Sequence, residues 1–205
     1  MTTFHTEQER FWAGPFGDEY TQRNQSATLF ASNLALFSRM LDRTHKVSSL
    51  IEFGANVGLN LRAIGSLIPN IQLSAVEINP VATTQLRMLE SIKVYEQSML
   101  DFKLDMVYDL SLVKGVLIHI NPDKLSDAYD VLYNSTRKYI CIAEYYSPSP
   151  VQVTYRGHAD KLFKRDFAGE MLERFGDLKL VDYGFVYRRD NHFSQDDINW
   201  FLLEK

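Results

Sequence analysis

The sequence predicts an α/β fold, a mostly parallel sheet with helices on both faces. Three features support this prediction. Short apolar segments alternate with helical ones, the first strand runs through a glycine turn into a helix, and the last two strands have no helix between them. Strand–helix alternation is typical of parallel sheets, whereas strands joined by a short connection pair as antiparallel neighbours. We therefore expect seven strands, with the last one antiparallel.

The length of 205 residues suits a single domain with one core. We expect residues 1–45 to form an amino-terminal lid and helix, and residues 46–205 to form the α/β core. Apolar residues make up 45% of the chain and charged residues 23%, which is an ordinary globular composition. Cys141 is the single cysteine and lies in an apolar run, so we expect a core residue rather than a nucleophile.

The charge and hydropathy of the chain narrow its partners. A net charge of −4 does not favour binding to nucleic acid, which requires a basic surface. No apolar run approaches the roughly 20 residues of a membrane helix. The first residues contain no basic-then-apolar signal peptide. We therefore expect a cytoplasmic protein without nucleic-acid or membrane partners. We also expect a monomer or homodimer.

The amino-terminal segment mixes large aromatic residues with turn-forming ones. Residues 1–23 show no core periodicity, and we expect residues 11–20, including Trp12 and Tyr20, to form an aromatic flap or a lid over a ligand. A helix is predicted from about Asn24 to Arg43. The positions that form its apolar face are Ala27, Phe30, Ala31, Leu34, Phe37 and Leu41.

The middle of the chain alternates strands and helices. Strands are expected through Leu50 and Ile51 and at 72–77, 93–97, 108–113 and 139–143. A helix is expected at about 58–67. Two more should begin at Asn79-Pro80 and Asn121-Pro122, where Asn caps the helix and Pro occupies its first turn. The buried stripe of the last helix would be Leu125, Ala128, Tyr129 and Leu132.

The last third of the chain begins with a polar, aromatic segment at 144–158, to which no regular element is assigned. A helix is expected next, with apolar residues spaced by four at Phe163, Phe167, Met171 and Phe175. Two strands, at 178–187 and 198–203, complete the chain as antiparallel neighbours.

The turn after the first strand suggests a binding site. Gly54 and Gly58 tolerate positive φ, and Asn56 adopts left-handed geometry more readily than most residues. A dinucleotide-binding turn would require glycine at 56 and 59, which are Asn56 and Leu59. The pattern from Glu52 instead resembles motif I of S-adenosylmethionine-dependent methyltransferases, with Asn56 in place of the middle glycine. The alternative is an ordinary tight strand-to-helix turn.

Glu77 ends the second strand, 19 positions after Gly58. In open α/β sheets, ligands lie beyond the carboxyl ends of the strands. A carboxylate at this point can accept hydrogen bonds from both hydroxyls of a ribose. The alternative is a solvated surface acid. In methyltransferases the loop after the third strand borders the adenine, for which Ser98 and Met99 are our choices, with Gln97 or Asp101 as alternatives.

The fourth and fifth strands end in residues suited to the methyl acceptor. The segment from Lys114 to Ile120 resembles the stretch after strand four in many small-molecule methyltransferases, and His119 is its candidate base. The alternative is a structural histidine. Glu144, Tyr145 and Tyr146 would bind the acceptor, and a carboxylate beside aromatic rings suits an amine or amidine slightly better than a hydroxyl.

Further candidates for substrate binding are Tyr155, Arg156, His158 and Arg188, although these can equally be solvated loop residues. The histidines are scattered, without a partner at i, i+4 or companion cysteines, so no metal site is predicted.

The chain resembles the pseudaminic acid biosynthesis-associated methylases over nearly its whole length. The segments that carry this resemblance are Phe11–Tyr20, Glu52–Asn60, Lys114–Pro122, Glu144–Tyr146, Tyr155–His158 and Asp196–Leu203. The resemblance implies a Rossmann-like class I methyltransferase fold and a sugar-like substrate, such as a nonulosonic acid or its nucleotide-linked precursor. It also implies S-adenosylmethionine as cofactor, held by Trp12, Tyr20, Glu52, Gly54, Asn56, Gly58, Asn60, Glu77, Ile78, Ser98, Met99 and Lys114. The alternatives are a methyltransferase for another small molecule or a macromolecule, and a regulatory protein that binds the cofactor without turnover.

Overall fold

The computed structural model describes residues 4–23 and 26–205, so the predicted start of a helix near Asn24 lies outside the described residues. The helices are α1 Glu7–Ala13, α2 Pro15–Arg23, α3 Ala27–Leu41, α4 Leu59–Leu67, α5 Pro80–Leu86, α6 Leu125–Asn134 and α7 Phe167–Arg174. The strands are β1 Ser49–Phe53, β2 Gln72–Glu77, β3 Ile92–Glu96, β4 Tyr108–Lys114, β5 Thr136–Glu144, β6 Val151–Tyr155, β7 His158–Lys164, β8 Lys179–Val186 and β9 Ile198–Glu204.

The main sheet among the described residues has seven strands in the order β3-β2-β1-β4-β5-β9-β8. The pairs from β3 to β5 are parallel, whereas β9 is antiparallel to both β5 and β8. This confirms the mostly parallel sheet with an antiparallel last strand. Because the chain reverses its direction of travel across the sheet between β1 and β4, the carboxyl ends of these two strands flank a crevice of the kind that binds ligands in open α/β folds.

Helices cover both faces of the sheet, and alternating strand residues point to each. On one face, Leu50 and Leu112 pack in a core with residues of α3 and α4. On the other face, Ile51 and Phe53 pack with residues of α6 and α7. Cys141 is buried in the first of these cores, as predicted. All four residues of the predicted stripe of α6 are also buried.

The helix starts at the two Asn-Pro pairs differ in detail. Asn79 caps α5 by accepting the amide of Ala82, and Pro80 opens that helix, as predicted. After Asn121 the chain first makes a short 3-10 turn, and α6 begins only at Leu125.

Two segments fold differently from the prediction. The amino-terminal segment, for which no helix was predicted, contains the short helices α1 and α2, and Thr6 and Glu9 make a capping box that starts α1. The polar segment 144–158 contributes to a hairpin of β6 and β7, and Phe163 lies in β7. The predicted helix therefore starts later, at Phe167, where Asp166 accepts the amide of Gly169 and caps it.

Neither a long apolar helix nor a cluster of metal-ligating side chains is found in the part of the chain that the structure describes. The helices α1 and α2 and the β6–β7 hairpin all lie at the carboxyl ends of the parallel strands, as their lining of one cavity shows. These segments therefore cover the crevice between the carboxyl ends of β1 and β4.

Candidate active site

A cavity of about 560 Å³ lies at the carboxyl ends of the parallel strands. Its size falls within the range of small-molecule sites. One side is formed by the ends of β1, β2 and β4 and the loop after β3, and we call it the turn wall: it includes Gly54, Asn56, Asn60, Glu77, Ile78, Ser98, Met99 and Lys114. A second part of the lining, which we call the cap wall, is formed by α1, α2, the hairpin and the loop before β9: it includes Gln8, Glu9, Trp12, Tyr20, Tyr155, Arg156, Arg188, Gln195 and Asp196.

The turn after β1 has the backbone that its sequence predicts. Gly54, Asn56 and Gly58 have φ of +74°, +48° and +78°, all in the left-handed region. A Cβ atom on Gly54 would lie 2.4 Å from Cγ2 of Val116, so only glycine fits here without displacing a neighbour. Gly58 caps α4 without a side-chain acceptor for its first amides, which leaves that end open towards polar groups.

Glu77 connects the turn to the end of β2. Its two carboxylate oxygens accept the amides of Asn56 at 2.7 Å and of Asn79 at 2.8 Å. Burial raises the pKa of Glu77, while these backbone hydrogen bonds oppose the rise. Each oxygen of an ionised carboxylate can accept more than one hydrogen bond, so Glu77 retains acceptor capacity towards the cavity that it lines.

Glu52 lies behind the turn wall and does not line the cavity. Its Oε1 accepts the side-chain amide of Asn60 at 2.6 Å, whereas its Oε2 has no hydrogen-bond partner among the described residues. Burial raises the pKa of Glu52 to about 7, against the effects of Asn60 and Lys114. Glu52 therefore acts on the cavity indirectly, through Asn60, Lys114 and Glu77, which do line it.

Lys114 lies near carboxylates from several parts of the site. Burial lowers its pKa, and the nearby carboxylates Glu52, Asp196 and Glu144 oppose that change. Lys114 therefore connects Glu52, behind the turn wall, with Asp196 in the cap wall.

The amino-terminal helices are held on the site by hydrogen bonds. Glu9 is buried and accepts the hydroxyl of Ser98 in the loop after β3, as well as the amide of Thr6 at 2.7 Å. The side chain of Asn79 donates to the backbone oxygen of Trp12 at 3.1 Å and to Asp18 at 2.8 Å. Trp12 and Tyr20 consequently line the cavity, and the indole nitrogen of Trp12 is buried with no partner in residues 4–23 and 26–205.

His119 lies at the base of the cap wall. Its Nδ1 is 2.5 Å from the backbone oxygen of Lys161 in β7, which fixes Nδ1 as the protonated nitrogen and leaves Nε2 as an acceptor. The ring contacts Trp12 and Tyr155, with centroid distances of 4.6 and 5.0 Å. Burial lowers the pKa of His119 to about 4, so the imidazole is neutral at pH 7 and is a weak base.

Glu144, at the end of β5, lines the same cavity with 3% of its surface exposed. Its Oε1 accepts two amides of the turn after β4, those of Val116 and Leu117, each at 2.9 Å. Its Oε2 is buried and has no hydrogen-bond partner in the described chain. Burial raises the pKa of Glu144 to about 7, against these amide bonds.

The structure brings most of the predicted site residues together, and four are not at the cavity surface. Glu52 lies behind it. A Cβ atom on Gly58 would point at Leu86 in the core, so Gly58 serves helix packing instead. Tyr146 follows the cavity-lining Tyr145 but turns outwards, 41% exposed. His158 contacts Phe11 and Phe16 on the outer side of the cap wall.

Several cavity residues were not predicted from the sequence. Gln8, Glu9, Asn33, Gln195 and Asp196 line the cavity from segments far apart in the chain. The side chains of Gln195 and Asn33, 162 positions apart, are hydrogen-bonded at 3.1 Å. The pattern Thr-x-x-Glu at Thr6 to Glu9 is a readable capping-box signal, and it would have indicated the start of α1. No sequence signal identifies Asn33 or Gln195.

No family model matches the chain, and no curated protein matches it either. Solved structures do match. A S-adenosylmethionine-dependent methyltransferase from Leishmania major aligns with a TM-score of 0.72 and 12% identity, over 98% of this chain and 87% of that one. Magnesium protoporphyrin IX methyltransferase from Synechocystis, solved with bound S-adenosylmethionine, aligns with a TM-score of 0.71 and 9% identity over 100% of both chains.

A third structure contains both a substrate and a spent methyl donor. It is 1,6-didemethyltoxoflavin-N1-methyltransferase from Burkholderia thailandensis with bound 1,6-didemethyltoxoflavin and S-adenosylhomocysteine. Its TM-score is 0.67 and its identity 16%, over 93% of this chain and 83% of that one. At these identities the likeness concerns the fold, and the strand order agrees with it. The chain therefore has the Rossmann-like fold of the class I methyltransferases.

Proposed function

We propose that the protein is a S-adenosylmethionine-dependent methyltransferase that acts on a small polar metabolite. One observation carries this proposal: the left-handed Gly54–Asn56 turn and the carboxylate of Glu77 are joined by a hydrogen bond at the wall of one cavity. The turn offers backbone atoms at close range and Glu77 offers acceptors for a ribose. The structural neighbours support the donor, since two of them were solved with S-adenosylmethionine or S-adenosylhomocysteine.

The turn wall fits the three parts of the methyl donor. Asn60 and the turn amides would hold its amino-acid part, Glu77 its ribose, and Ile78, Ser98 and Met99 its adenine. When bound, the donor supplies an electrophilic methyl group on a positively charged sulfur. The protein's part is to hold the acceptor in line with that methyl group and to exclude water, which is the main contribution expected in a direct displacement.

The cap wall would receive the acceptor. We propose residues 11–20 as a lid, because Trp12 and Tyr20 line the cavity from the short helices α1 and α2, which lie outside the sheet. The arginines of this wall, Arg156 and Arg188, and the carboxylates of Glu144 and Asp196 suit a polar, charged metabolite. This lining agrees with a sugar-like acceptor such as a nonulosonic acid or its precursor, which we propose on the sequence resemblance.

Calorimetry tests the donor. S-adenosylmethionine and S-adenosylhomocysteine should bind, and NAD should not, since Asn56 and Leu59 replace two glycines of the dinucleotide turn. Glu77→Ala should weaken binding by about 1 to 3 kcal/mol because a charged acceptor is lost. Glu96→Ala is the matched control, because Glu96 is the register partner of Glu77 on β3 but pairs with Arg87 at the surface. Equal affinity in Glu77→Ala and the wild type would contradict the assignment.

An assay of donor consumption tests turnover. We expect methyl transfer with a panel of amino sugars, sugar acids and nucleotide-linked sugars. Transfer to added protein or nucleic acid, with none to the panel, would instead indicate a macromolecular substrate. Tight donor binding without consumption in any arm would indicate a regulatory protein.

A further inference from the structure

Two residues that line the cavity, Trp12 and Glu144, each have a buried polar atom without a partner in the described chain, and Oε2 of Glu144 is the acceptor of the two. Oε1 accepts the amides of Val116 and Leu117, and these two bonds fix the orientation of the whole carboxyl group. Oε2 is fully buried and has no hydrogen-bond partner in residues 4–23 and 26–205. A buried polar atom without a partner costs about 1 to 3 kcal/mol. Glu144 lines the cavity, so this cost would be relieved if a hydrogen-bond donor of a ligand reached Oε2 from there.

The charged and titratable groups around Glu144 indicate which kind of ligand would supply a hydrogen bond to Oε2. Lys114 faces it from β4, the phenols of Tyr129 and Tyr145 face it from α6 and from the end of β5, and the backbone amides after β4 contact its other oxygen. Lys114 is shared with Glu52 and Asp196, so it does not balance Glu144 alone. A positively charged hydrogen-bond donor on the ligand would favour the ionised form of Glu144, whereas a neutral hydroxyl would not.

The available bases also distinguish an amine from a hydroxyl. The pKa of His119 is lowered to about 4 and that of Glu144 is raised to about 7. A sugar hydroxyl is a far weaker acid than an ammonium group, so neither His119 nor Glu144 removes its proton readily. A primary amine has a pKa near 10, about three units above the carboxyl group of Glu144, so the transfer of its proton is a modest step.

We propose that the acceptor carries a primary or secondary amine and that its ammonium group binds Oε2 of Glu144, an inference that rests on the proposed function. One ammonium proton passes to Oε2, which gives a neutral amine and a carboxylic acid. The nitrogen lone pair then forms a bond to the methyl carbon of the donor, and the carbon–sulfur bond breaks with its electron pair going to sulfur. The products are an N-methylammonium ion and the neutral thioether, and Glu144 returns its proton to solvent.

Sinefungin provides a probe that needs no knowledge of the acceptor. This analogue of the methyl donor carries a protonated amine in place of the methyl–sulfonium group and otherwise shares the amino acid, ribose and adenine of S-adenosylhomocysteine. Its extra amine would therefore lie where the acceptor nitrogen meets the methyl group. Calorimetry should show that Glu144→Gln lowers the affinity for sinefungin by about 10- to 100-fold, the range for a hydrogen bond to a charged group, and changes that for S-adenosylhomocysteine by less than about 3-fold.

Glu52→Gln is the matched control. Glu52 is buried, has a pKa of about 7 and one unpartnered oxygen, as Glu144 has, but it does not line the cavity. The ratio of the two affinities should change by less than about 3-fold in this variant. An unchanged ratio in Glu144→Gln, or an equal change in Glu52→Gln, would overturn the proposal. Failure of the wild type to bind any of these ligands would instead refute the proposed function.

A measurement on the wild-type protein covers the case in which Glu144→Gln does not fold. Because Glu144 ionises near pH 7, the preference for sinefungin over S-adenosylhomocysteine should increase between pH 6 and pH 8. The amino-acid part is common to both ligands and cancels in the ratio. A preference that does not change over this range would overturn the proposal independently of any substitution.

Discussion

The two walls of the cavity are built in different ways. In the turn wall, hydrogen bonds join residues that are close in sequence: Asn60 and Glu52 are 8 positions apart, and Asn56 and Glu77 are 21 apart. In the cap wall, Gln8 donates to the backbone oxygen of Asp160, 152 positions away, and Lys161 pairs with Glu7, 154 positions away. The turn wall is thus part of the folded sheet, whereas the cap wall exists only when distant segments are docked on it. Changes in the turn wall should therefore affect the stability of the whole protein, and changes in the cap wall should affect closure over the site.

The largest effect is expected in the turn wall. Gly54→Ala should lower the free energy of unfolding by about 2 to 4 kcal/mol, because its φ of +74° is unfavourable for alanine and its Cβ would overlap Val116. Gly157→Ala, in the hairpin turn of the cap wall, is the matched control. Gly157 has a φ of +85° but no atom within 4 Å of a built Cβ, so only the backbone strain remains, about 1 kcal/mol. Equal losses in urea denaturation would show that the two walls tolerate side chains alike.

The next effect concerns the contact between the walls. Glu9→Ala should remove the acceptor of Ser98 and of the amides of His5 and Thr6, at a cost of about 1 to 3 kcal/mol for docking α1. Limited proteolysis should cut residues 11–20 faster in this variant than in the wild type, and S-adenosylhomocysteine should protect the wild type more. Glu19→Ala is the control, because within the described residues Glu19 forms only an exposed pair with Arg23. Equal cutting with and without ligand in the wild type would show that this segment is not a lid.

The smallest effect concerns the raised pKa values that Glu52 and Glu144 share. Glu52 and Glu144 have pKa values raised to about 7 by burial, so in the folded protein they hold protons that the unfolded chain releases near pH 4.3. Their contribution to stability is therefore complete below pH 4.3 and is lost as the pH rises through 7. The free energy of unfolding should fall by about 1 to 2 kcal/mol between pH 6.5 and pH 8.

Glu52→Gln should reduce this fall, since glutamine does not ionise. Glu96→Gln should leave it unchanged, because hydrogen bonds from Thr83 and Arg87 lower the pKa of Glu96 and place its titration below this range. Urea denaturation at several pH values measures all three proteins. A fall of the same size in Glu52→Gln would show that other groups cause it.

The difference between the walls also explains what the sequence could predict. The turn wall follows from local patterns: the spacing of Gly54, Asn56 and Gly58 and the acid at Glu77 agree with the observed backbone and contacts. The sheet follows from the alternation of elements, and its strand order agrees with the solved neighbours.

The cap wall could not be predicted in the same way. Its contacts depend on the docking of α1 on β7 and of Gln195 on Asn33, and no local pattern records such long-range pairs. The hairpin was missed because β6 has no buried residue and β7 has its exposed and buried residues in two consecutive runs, so neither strand shows the alternation of a half-buried strand. Tyr146 and His158 were expected at the site because the sequence does not show where their side chains point, which is set by tertiary contacts.

Helix α1 borders both the proposed adenine site and the proposed acceptor site. Through Glu9 it contacts Ser98, beside the proposed adenine site, and through Gln8 it contacts the hairpin that encloses the proposed acceptor site. Under the proposed function, the used donor and the methylated product would therefore leave after one and the same displacement of α1. The displacement of this helix would then limit the rate of turnover. A rapid first round of methyl transfer would be followed by a slower steady state, set by the release of both products.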